Sequence, residues 1–233
     1  KVVAARDLYG GSFRWFNDKE SEGRFTVEYA NTESDLLAAI SDDTDIVYIE
    51  TPTNPLMVEF DIATVAKAAH DKGAKLIVDN TFYSPIYQNP IPLGADIVVH
   101  SATKYLAGHN DVLAGIVVTN DQAIYDKLFY NLNTTGSTLS PFDSYLLMRG
   151  LKTLKLRMEK ATENARELVT FLKTLPTVKE VLYTGKGGMI SFKVADESKI
   201  PTIINRLEVI TFAESLGGVE SLITYPRTQT HAD

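Results

Sequence analysis

The sequence predicts an α/β protein with a mostly parallel sheet, followed by a smaller α+β region. Short apolar runs bounded by Gly, Asp or Asn are typical of buried parallel strands, and they occupy residues 1–6, 45–50, 74–79, 96–101 and 114–119. A more alternating run at residues 24–29 is a further strand candidate. Helical patterns lie between several of these runs. This βαβ alternation favours a sheet with helices on both faces.

Two helices of this first region carry recognisable start signals. Thr32 and the polar residues after it precede the apolar segment 36–40. Asp61 precedes a run with apolar residues at helical spacing, which stops at Gly73. Thr and Asp side chains accept hydrogen bonds from the free N–H groups of a first helical turn. We therefore expect helices to begin directly after these two residues.

The pattern changes near residue 140. Residues 141–176 are rich in Leu, Met, Lys and Glu at helical spacing, with an interruption at Gly150 and an end at Pro176. This predicts a bent or paired connecting helix. Two strand patterns and one helical pattern follow, at residues 178–183, 189–194 and 197–208.

These changes predict two domains. The large domain covers residues 1–145, and the connecting helix with a small α+β domain covers residues 146–233. The chain opens on an apolar strand without an initiator Met. We therefore expect the large domain to be incomplete at its N-terminus and the small domain to be incomplete at its C-terminus.

The composition argues against several classes of protein. The 233 residues carry a net charge of -7, and no basic run offers the surface that a nucleic-acid partner requires. The chain has no Cys, and its four His lack the spacing of metal ligands, so neither a disulfide framework nor a metal site is predicted. No apolar run approaches the roughly 20 residues of a membrane helix. We expect a soluble, cytoplasmic protein.

The residues that indicate chemistry follow two of the predicted strands. Lys104 comes just after one strand, next to the hydroxyls of Ser101 and Thr103, and Asp79 ends the preceding strand. The carboxyl ends of parallel strands meet at one edge of the sheet, so the amine and the carboxylate are expected near one cleft. Pyridoxal 5'-phosphate (PLP) needs a lysine for its aldehyde, a carboxylate for its ring nitrogen and donors for its phosphate. The Ser101 and Thr103 hydroxyls are the expected phosphate donors. The alternatives are a surface lysine, a turn or capping carboxylate, and hydroxyls that only cap a helix.

Five motifs, in this order along the chain, carry a resemblance to a known family. They are Asp7–Gly11, Glu50–Pro55, Val78–Phe82, Ser101–Asp111 and Glu214–Leu222. With them the chain resembles the Cys/Met-metabolism PLP enzymes, a family that includes cystathionine γ-synthase, cystathionine β-lyase, cystathionine γ-lyase and methionine γ-lyase. The resemblance runs over nearly the whole chain and implies the aspartate-aminotransferase-like fold (fold type I).

The resemblance also implies roles for individual residues. Tyr9 would stack on the cofactor ring and take part in proton transfer, although a turn aromatic beside two glycines is the alternative. Asn54 would bind the ring hydroxyl with Glu50 nearby, or both would only satisfy the backbone of a Pro-rich turn. Ser215 and Glu214 would face the substrate, but Ser215 could equally serve the conformation of a Gly-rich turn.

Other parts of the family's site are expected outside residues 1–233. The resemblance implies that the Gly-rich phosphate loop and a Tyr-x-Arg segment lent by a neighbouring subunit precede residue 1. It also implies that the arginine for the substrate carboxylate follows residue 233. Arg227 is therefore not assigned that role.

The activity implied by the resemblance is a PLP-dependent carbon–sulfur lyase that cleaves cystathionine in trans-sulfuration, within methionine and cysteine metabolism. One alternative is a γ-synthase that makes cystathionine from an activated homoserine and cysteine. A second alternative is a non-catalytic protein with the same fold. Because the family shares active sites between subunits, a homo-oligomer is expected, as a tetramer built from two dimers.

Overall fold

The computed structural model describes residues 1–226. Its centre is a six-stranded sheet with the strand order β2-β1-β3-β4-β5-β6. The strands are β1 Val2–Ala5, β2 Val27–Ala30, β3 Ile46–Glu50, β4 Lys75–Asp79, β5 Ile97–Ser101 and β6 Gly115–Val118. Strands β1 to β5 pair in parallel. The prediction of a mostly parallel sheet is confirmed.

Strand β6 differs from the prediction because it runs antiparallel to β5. Residues 102–114, between the two strands, form turns instead of the crossover helix that usually connects parallel neighbours. The chain therefore reverses at the edge of the sheet, where Val117 and Val118 are exposed. The prediction of a buried parallel strand at residues 114–119 was wrong.

The helices of the described residues are α1 Gly10–Ser21, α2 Glu33–Ala39, α3 Ile62–Asp71, α4 Ser84–Tyr87, α5 Gln122–Thr135, α6 Pro141–Leu151, α7 Leu154–Leu172 and α8 Ile200–Ile204. The two predicted caps are confirmed. The Thr32 hydroxyl accepts from the Asp35 N–H at 3.1 Å, and an Asp61 carboxylate oxygen accepts from the Thr64 N–H at 2.8 Å. Within residues 1–226, no helix is long and apolar enough to cross a bilayer.

The predicted connecting helix is a pair, α6 and α7, with its break at residues 152–153. Gly150 itself lies inside α6. The region that follows is α+β, as predicted, although the expected helix at 197–208 is reduced to a short 3-10 segment and α8. Its strands form two separate pairs, antiparallel β7 Val178–Leu182 with β8 Ser191–Val194, and parallel β9 Thr211–Phe212 with β10 Leu222–Ile223.

Two apolar clusters hold the fold together. The larger one packs the central strands against the helices that connect them, with Val47, Val65 and Leu76 fully buried. The second packs Tyr105 and its neighbours against α6 and α7, with Met158 fully buried. Burial of such side chains is worth about 1.5–3 kcal/mol each. The second cluster therefore fixes residues 102–108, called the lysine turn here, against the connecting helices.

Candidate active site

The candidate active site lies at the carboxyl edge of the sheet. Glu50 and Asp79 end β3 and β4 and are direct partners in the parallel register. Ser101 ends β5, and Tyr9 follows β1 at the start of α1. Because these strands are parallel neighbours, their last residues meet at one edge, as the sequence predicted.

Asp79 is held by three donors. One carboxylate oxygen, Oδ1, accepts from the Thr81 N–H at 3.0 Å and the Thr81 hydroxyl at 2.6 Å, and the Tyr48 hydroxyl lies 3.5 Å from Oδ2. Burial raises the pKa of Asp79, and the Thr81 and Tyr48 hydrogen bonds act to lower it. The Thr81 hydroxyl also accepts from the Ser101 N–H at 2.8 Å. Thr81 therefore joins the end of β4 to the end of β5.

Glu50 lies behind Tyr9 rather than in the open cleft. Its side chain is buried, and Oε2 accepts from the Tyr9 N–H at 2.8 Å. Burial and the charge of Asp79 raise the pKa of Glu50 well above its usual range, against the effect of the Tyr9 N–H. Asp79 has three donors and Glu50 has one, so hydrogen bonding favours the charged form of Asp79 more than that of Glu50.

Tyr9 rests on the glycine-rich start of α1. A Cβ at Gly11 would lie 2.4 Å from the Tyr9 Cε1, so only glycine leaves room for the ring in this position. Half of the Tyr9 residue is exposed, at 52%. The backbone of Tyr9 is thus fixed by Glu50, while its ring remains accessible to a stacking partner.

Lys104 projects from the lysine turn towards a loop of the second region. Its amine donates to the Ser215 hydroxyl at 3.1 Å. Burial lowers the pKa of Lys104, and the Glu214 carboxylate acts to raise it. Ser215 has a φ of 98°, a conformation rare outside glycine. The same loop packs closely on the lysine turn, because a Cβ at Gly217 would lie 2.6 Å from the Tyr105 nitrogen.

A cleft of about 540 Å³ opens next to the Lys104–Ser215 contact. Its lining combines residues of both regions: Thr103, Asn110, Asp111, Val112, Leu113, Ala213, Glu214, Ser215 and Leu222. The Thr103 hydroxyl accepts from the Ala114 N–H at 3.0 Å and donates to the Ala114 carbonyl at 3.3 Å. It therefore supports the backbone of this wall, and its role as a phosphate donor stays a prediction.

In the Pro-rich turn after β3, some polar side chains only satisfy backbone groups, which was the alternative to a cofactor-binding role. The hydroxyls of Thr51 and Thr53 accept from the N–H groups of Phe60 and Val58, both at 3.0 Å. Asn54 is partly buried, and within residues 1–226 no hydrogen bond of its side chain is found. The Asn54 amide is thus not used to support the backbone of residues 1–226. Its contact with a ring hydroxyl stays a prediction.

Two residues that hold Asp79 were not predicted from the sequence. Thr81 lies two residues after Asp79, where a hydroxyl can reach back to the carboxylate. Tyr48 lies two residues before Glu50 on β3, so both side chains are on the same face of the sheet. Asp79, the register partner of Glu50 on β4, is on that face as well. Arg227 lies outside the described residues.

The arrangement fits PLP. Asp79 Oδ2 keeps only the long Tyr48 contact, so it can accept from a protonated ring nitrogen. Lys104 supplies a partly buried amine whose pKa is already lowered. The fold and this site define the class of PLP-binding α/β proteins with a ligand site at the carboxyl edge of a parallel sheet.

Comparison with known proteins defines the family. Residues 1–233 match the model of the Cys/Met metabolism PLP-dependent enzymes, and the chain belongs to this family. It is 50% identical over 235 residues to the cystathionine gamma-synthase/O-acetylhomoserine (thiol)-lyase of Bacillus subtilis (strain 168), covering 100% of this chain and 63% of that relative. It is 43% identical to the cystathionine gamma-lyase of the same organism, covering 99% of this chain and 66% of that relative.

A solved structure agrees with the fold. The crystal structure of cystathionine gamma synthase from Xanthomonas oryzae pv. oryzae in complex with cystathionine has a TM-score of 0.95 and 39% sequence identity. The match covers 99% of this chain and 65% of that one. The predicted fold type I is confirmed. The chain spans less than two thirds of the length of these relatives.

Proposed function

We propose that the protein containing this chain is a PLP-dependent enzyme that breaks or forms a carbon–sulfur bond of cystathionine. The observation that carries the proposal is the partly buried amine of Lys104, held by Ser215 next to a cleft, with the Asp79 carboxylate on the neighbouring strand. Lys104 would hold the cofactor aldehyde and Asp79 its ring nitrogen. Ser101 and Thr103 would hold the phosphate, Tyr9 would stack on the ring, and Asn54 would bind the ring hydroxyl.

PLP, when bound, withdraws electrons from the substrate Cα. The residues of this chain then control protons. Burial lowers the pKa of Lys104 and so favours its unprotonated amine, which would accept the proton from the substrate Cα while the Ser215 hydroxyl held it in place. The exposed Tyr9 hydroxyl would transfer a proton at the leaving group. Glu214 and Ser215 line the cleft in which the substrate would bind.

Two reactions are candidates. Cleavage of cystathionine is the expectation from the sequence, and the structure that binds cystathionine at 39% identity supports this substrate. Synthesis is favoured by the higher identity to a γ-synthase, 50% against 43% to a γ-lyase. Product analysis on the full-length enzyme separates them. Pyruvate with homocysteine indicates a β-lyase, 2-oxobutyrate with cysteine indicates a γ-lyase, and cystathionine from an activated homoserine indicates a synthase.

The assignment of Lys104 is tested in the full-length protein reconstituted with PLP. Lys104→Ala should abolish both the visible absorbance of the lysine-bound cofactor and the turnover of substrate. Lys155→Ala, at an exposed position of α7, is the control and should keep both. Retention of the visible band in Lys104→Ala would refute the proposal. A coloured wild-type protein without any of the three reactions would instead support a non-catalytic protein.

We also propose a cytoplasmic homotetramer built as a dimer of dimers. The support is a set of exposed aromatic side chains on α5 and α6, namely Tyr125, Phe129, Tyr130, Phe142 and Tyr145. Exposed apolar patches of this kind are typical of protein interfaces. Light scattering on the full-length protein should give the mass of four chains, and a monomer would contradict the proposal.

A further inference from the structure

The guanidinium of Arg157, on α7, is bound to the backbone that follows Lys104. Its NH1 donates to the Tyr105 carbonyl at 2.7 Å, and its NH2 lies 3.5 Å from the Leu106 carbonyl. The same side chain donates to the Gly150 carbonyl at 2.8 Å and the Thr153 hydroxyl at 3.0 Å. One side chain thus joins the lysine turn to the break between α6 and α7.

Two glycines make room for this contact. A Cβ at Gly108 would lie 2.0 Å from the Arg157 NH1, and one at Gly150 would lie 2.1 Å from the Ala107 carbonyl oxygen. Gly108 also has a φ of 76°, which favours glycine. Both positions bring the connecting helices and the lysine turn into closer contact than any side chain would allow.

The partners of Arg157 are neutral oxygens rather than a carboxylate. Burial lowers the pKa of Arg157, but guanidinium groups remain charged in proteins. Its planar fork of donors suits several carbonyls at once, which a lysine cannot bind together. By donating to several backbone carbonyls at once, the Arg157 guanidinium fixes the backbone of residues 105–106 relative to the end of α6.

We infer that Arg157 is a positioning residue for Lys104, which clamps the lysine turn so that the amine reaches Ser215 and the cofactor aldehyde. The inference rests on the proposed function, because it concerns the lysine that would hold PLP. Inside the turn, the Gly108 N–H donates to the Lys104 carbonyl at 2.8 Å and the Ala107 N–H to the Ala102 carbonyl at 2.9 Å. These amides report directly on the state of the clamp.

The test compares Arg157→Met, Arg157→Lys and Arg166→Met in the full-length protein. Arg166 is a matched control because it lies on the same helix and donates to a single carbonyl, that of Gly185, at 2.9 and 3.1 Å. Hydrogen exchange in residues 102–108 is measured without cofactor, and the PLP dissociation constant is measured by absorbance. Losing a hydrogen bond from a charged group costs about 1.5–3 kcal/mol, which changes an equilibrium constant by a factor of ten or more. Arg157→Met should therefore raise both the exchange rate and the PLP dissociation constant by about tenfold. Arg157→Lys should show a smaller change, and Arg166→Met none.

A second pair of variants displaces the guanidinium without removing it. Gly108→Ala places a Cβ against Arg157, while Gly73→Ala imposes alanine at the same φ of 76° with no atom within 4 Å. Gly108→Ala should reproduce the changes of Arg157→Met, and Gly73→Ala should leave the lysine turn unchanged. This pair decides the question even if Arg157→Met does not fold.

Wild-type exchange and PLP affinity in Arg157→Met or Gly108→Ala would overturn the inference, as would equal changes in their controls. The two proposals fail in different ways. A wild-type protein that binds no PLP contradicts the proposed function, while the exchange measurement still tests the clamp. A wild-type protein that binds PLP, with unchanged Arg157 variants, contradicts the inference alone.

Discussion

Thr81 offers the sharpest test of how the sheet edge holds Asp79. Thr81→Val keeps the shape of the side chain but removes the hydroxyl that donates to Asp79 at 2.6 Å and accepts from the Ser101 N–H at 2.8 Å. A hydrogen bond to a charged group is worth about 1.5–3 kcal/mol, and an unsatisfied N–H costs about 1–3 kcal/mol. Because Thr81 is only partly buried and water can replace part of both contacts, we expect the free energy of unfolding to fall by about 3 kcal/mol at pH 7.

The loss should depend on pH. Burial raises the pKa of Asp79 in the folded protein above its ordinary value of 3.8, and the Thr81 hydrogen bonds oppose this shift. Without the hydroxyl the pKa rises further. An acid with a raised folded pKa contributes most stability at low pH and loses it as the pH rises, so the deficit of Thr81→Val should grow as the pH rises above 4.

Urea denaturation of the cofactor-free full-length protein, at fixed protein concentration, measures both effects. Thr170→Val is the control, because Thr170 is exposed and its hydroxyl donates to the Arg166 carbonyl of the same helix at 2.9 Å. It should lose less than about 1 kcal/mol at every pH. An equal loss in both variants, or a deficit of Thr81→Val that does not grow with pH, would refute this account of Asp79.

Two further predictions concern other carboxylates. Asp96 accepts from the Lys75 amine and the Leu76 N–H, both at 2.8 Å, and it also contacts the His70 ring. Burial acts to raise the pKa of Asp96, but these three hydrogen bonds outweigh it and lower the pKa. Asp96→Asn should therefore cost about 1–2 kcal/mol at pH 7, with the difference from wild type vanishing as the pH falls below 4 in urea denaturation. Glu50→Gln keeps an acceptor for the backbone while removing the ionisation that burial opposes. It should gain stability relative to wild type as the pH rises above 4.5, by up to about 1.4 kcal/mol per pH unit, and a constant difference would contradict the raised pKa of Glu50.

The sheet could be predicted from the sequence because buried parallel strands are short apolar runs with clear ends. The helices α2 and α3 carry caps and apolar spacing that identify them. Helices α1 and α5 were not predicted. Gly10 and Gly11 open α1 against the usual propensity. Helix α5 does carry helical signals, a capping Asp121 and apolar residues at 124, 125, 128, 129 and 132, and these signals were missed. The direction of β6 depends on turns at residues 102–114, which carry no periodic signal.

The candidate site could also be predicted only in part. Lys104 and Asp79 could be predicted because Asp79 ends one strand and Lys104 follows the next, and the positions of both strands in the sheet are predictable. Glu50 was expected near the ring, but its hydrogen bond to the Tyr9 backbone depends on how the loop after β1 folds back. Arg157 gave no signal, because an arginine at helical spacing in an amphipathic helix is ordinarily a surface residue. Its role appears only when the lysine turn is packed against α7.

The two ends of the proposed cofactor site therefore depend on different parts of the fold. Asp79 is held by Thr81 and Tyr48, which belong to the sheet and the residues directly after it. Lys104 is held by Ser215 and, through the lysine turn, by Arg157, which lie in the region after the sheet. A change at Arg157 should loosen the lysine turn and leave the contacts of Asp79 in place. A change at Thr81 should alter the carboxylate together with the Ser101 N–H that precedes the turn. Because both groups would hold the same ring in the proposed site, both changes should lower cofactor affinity.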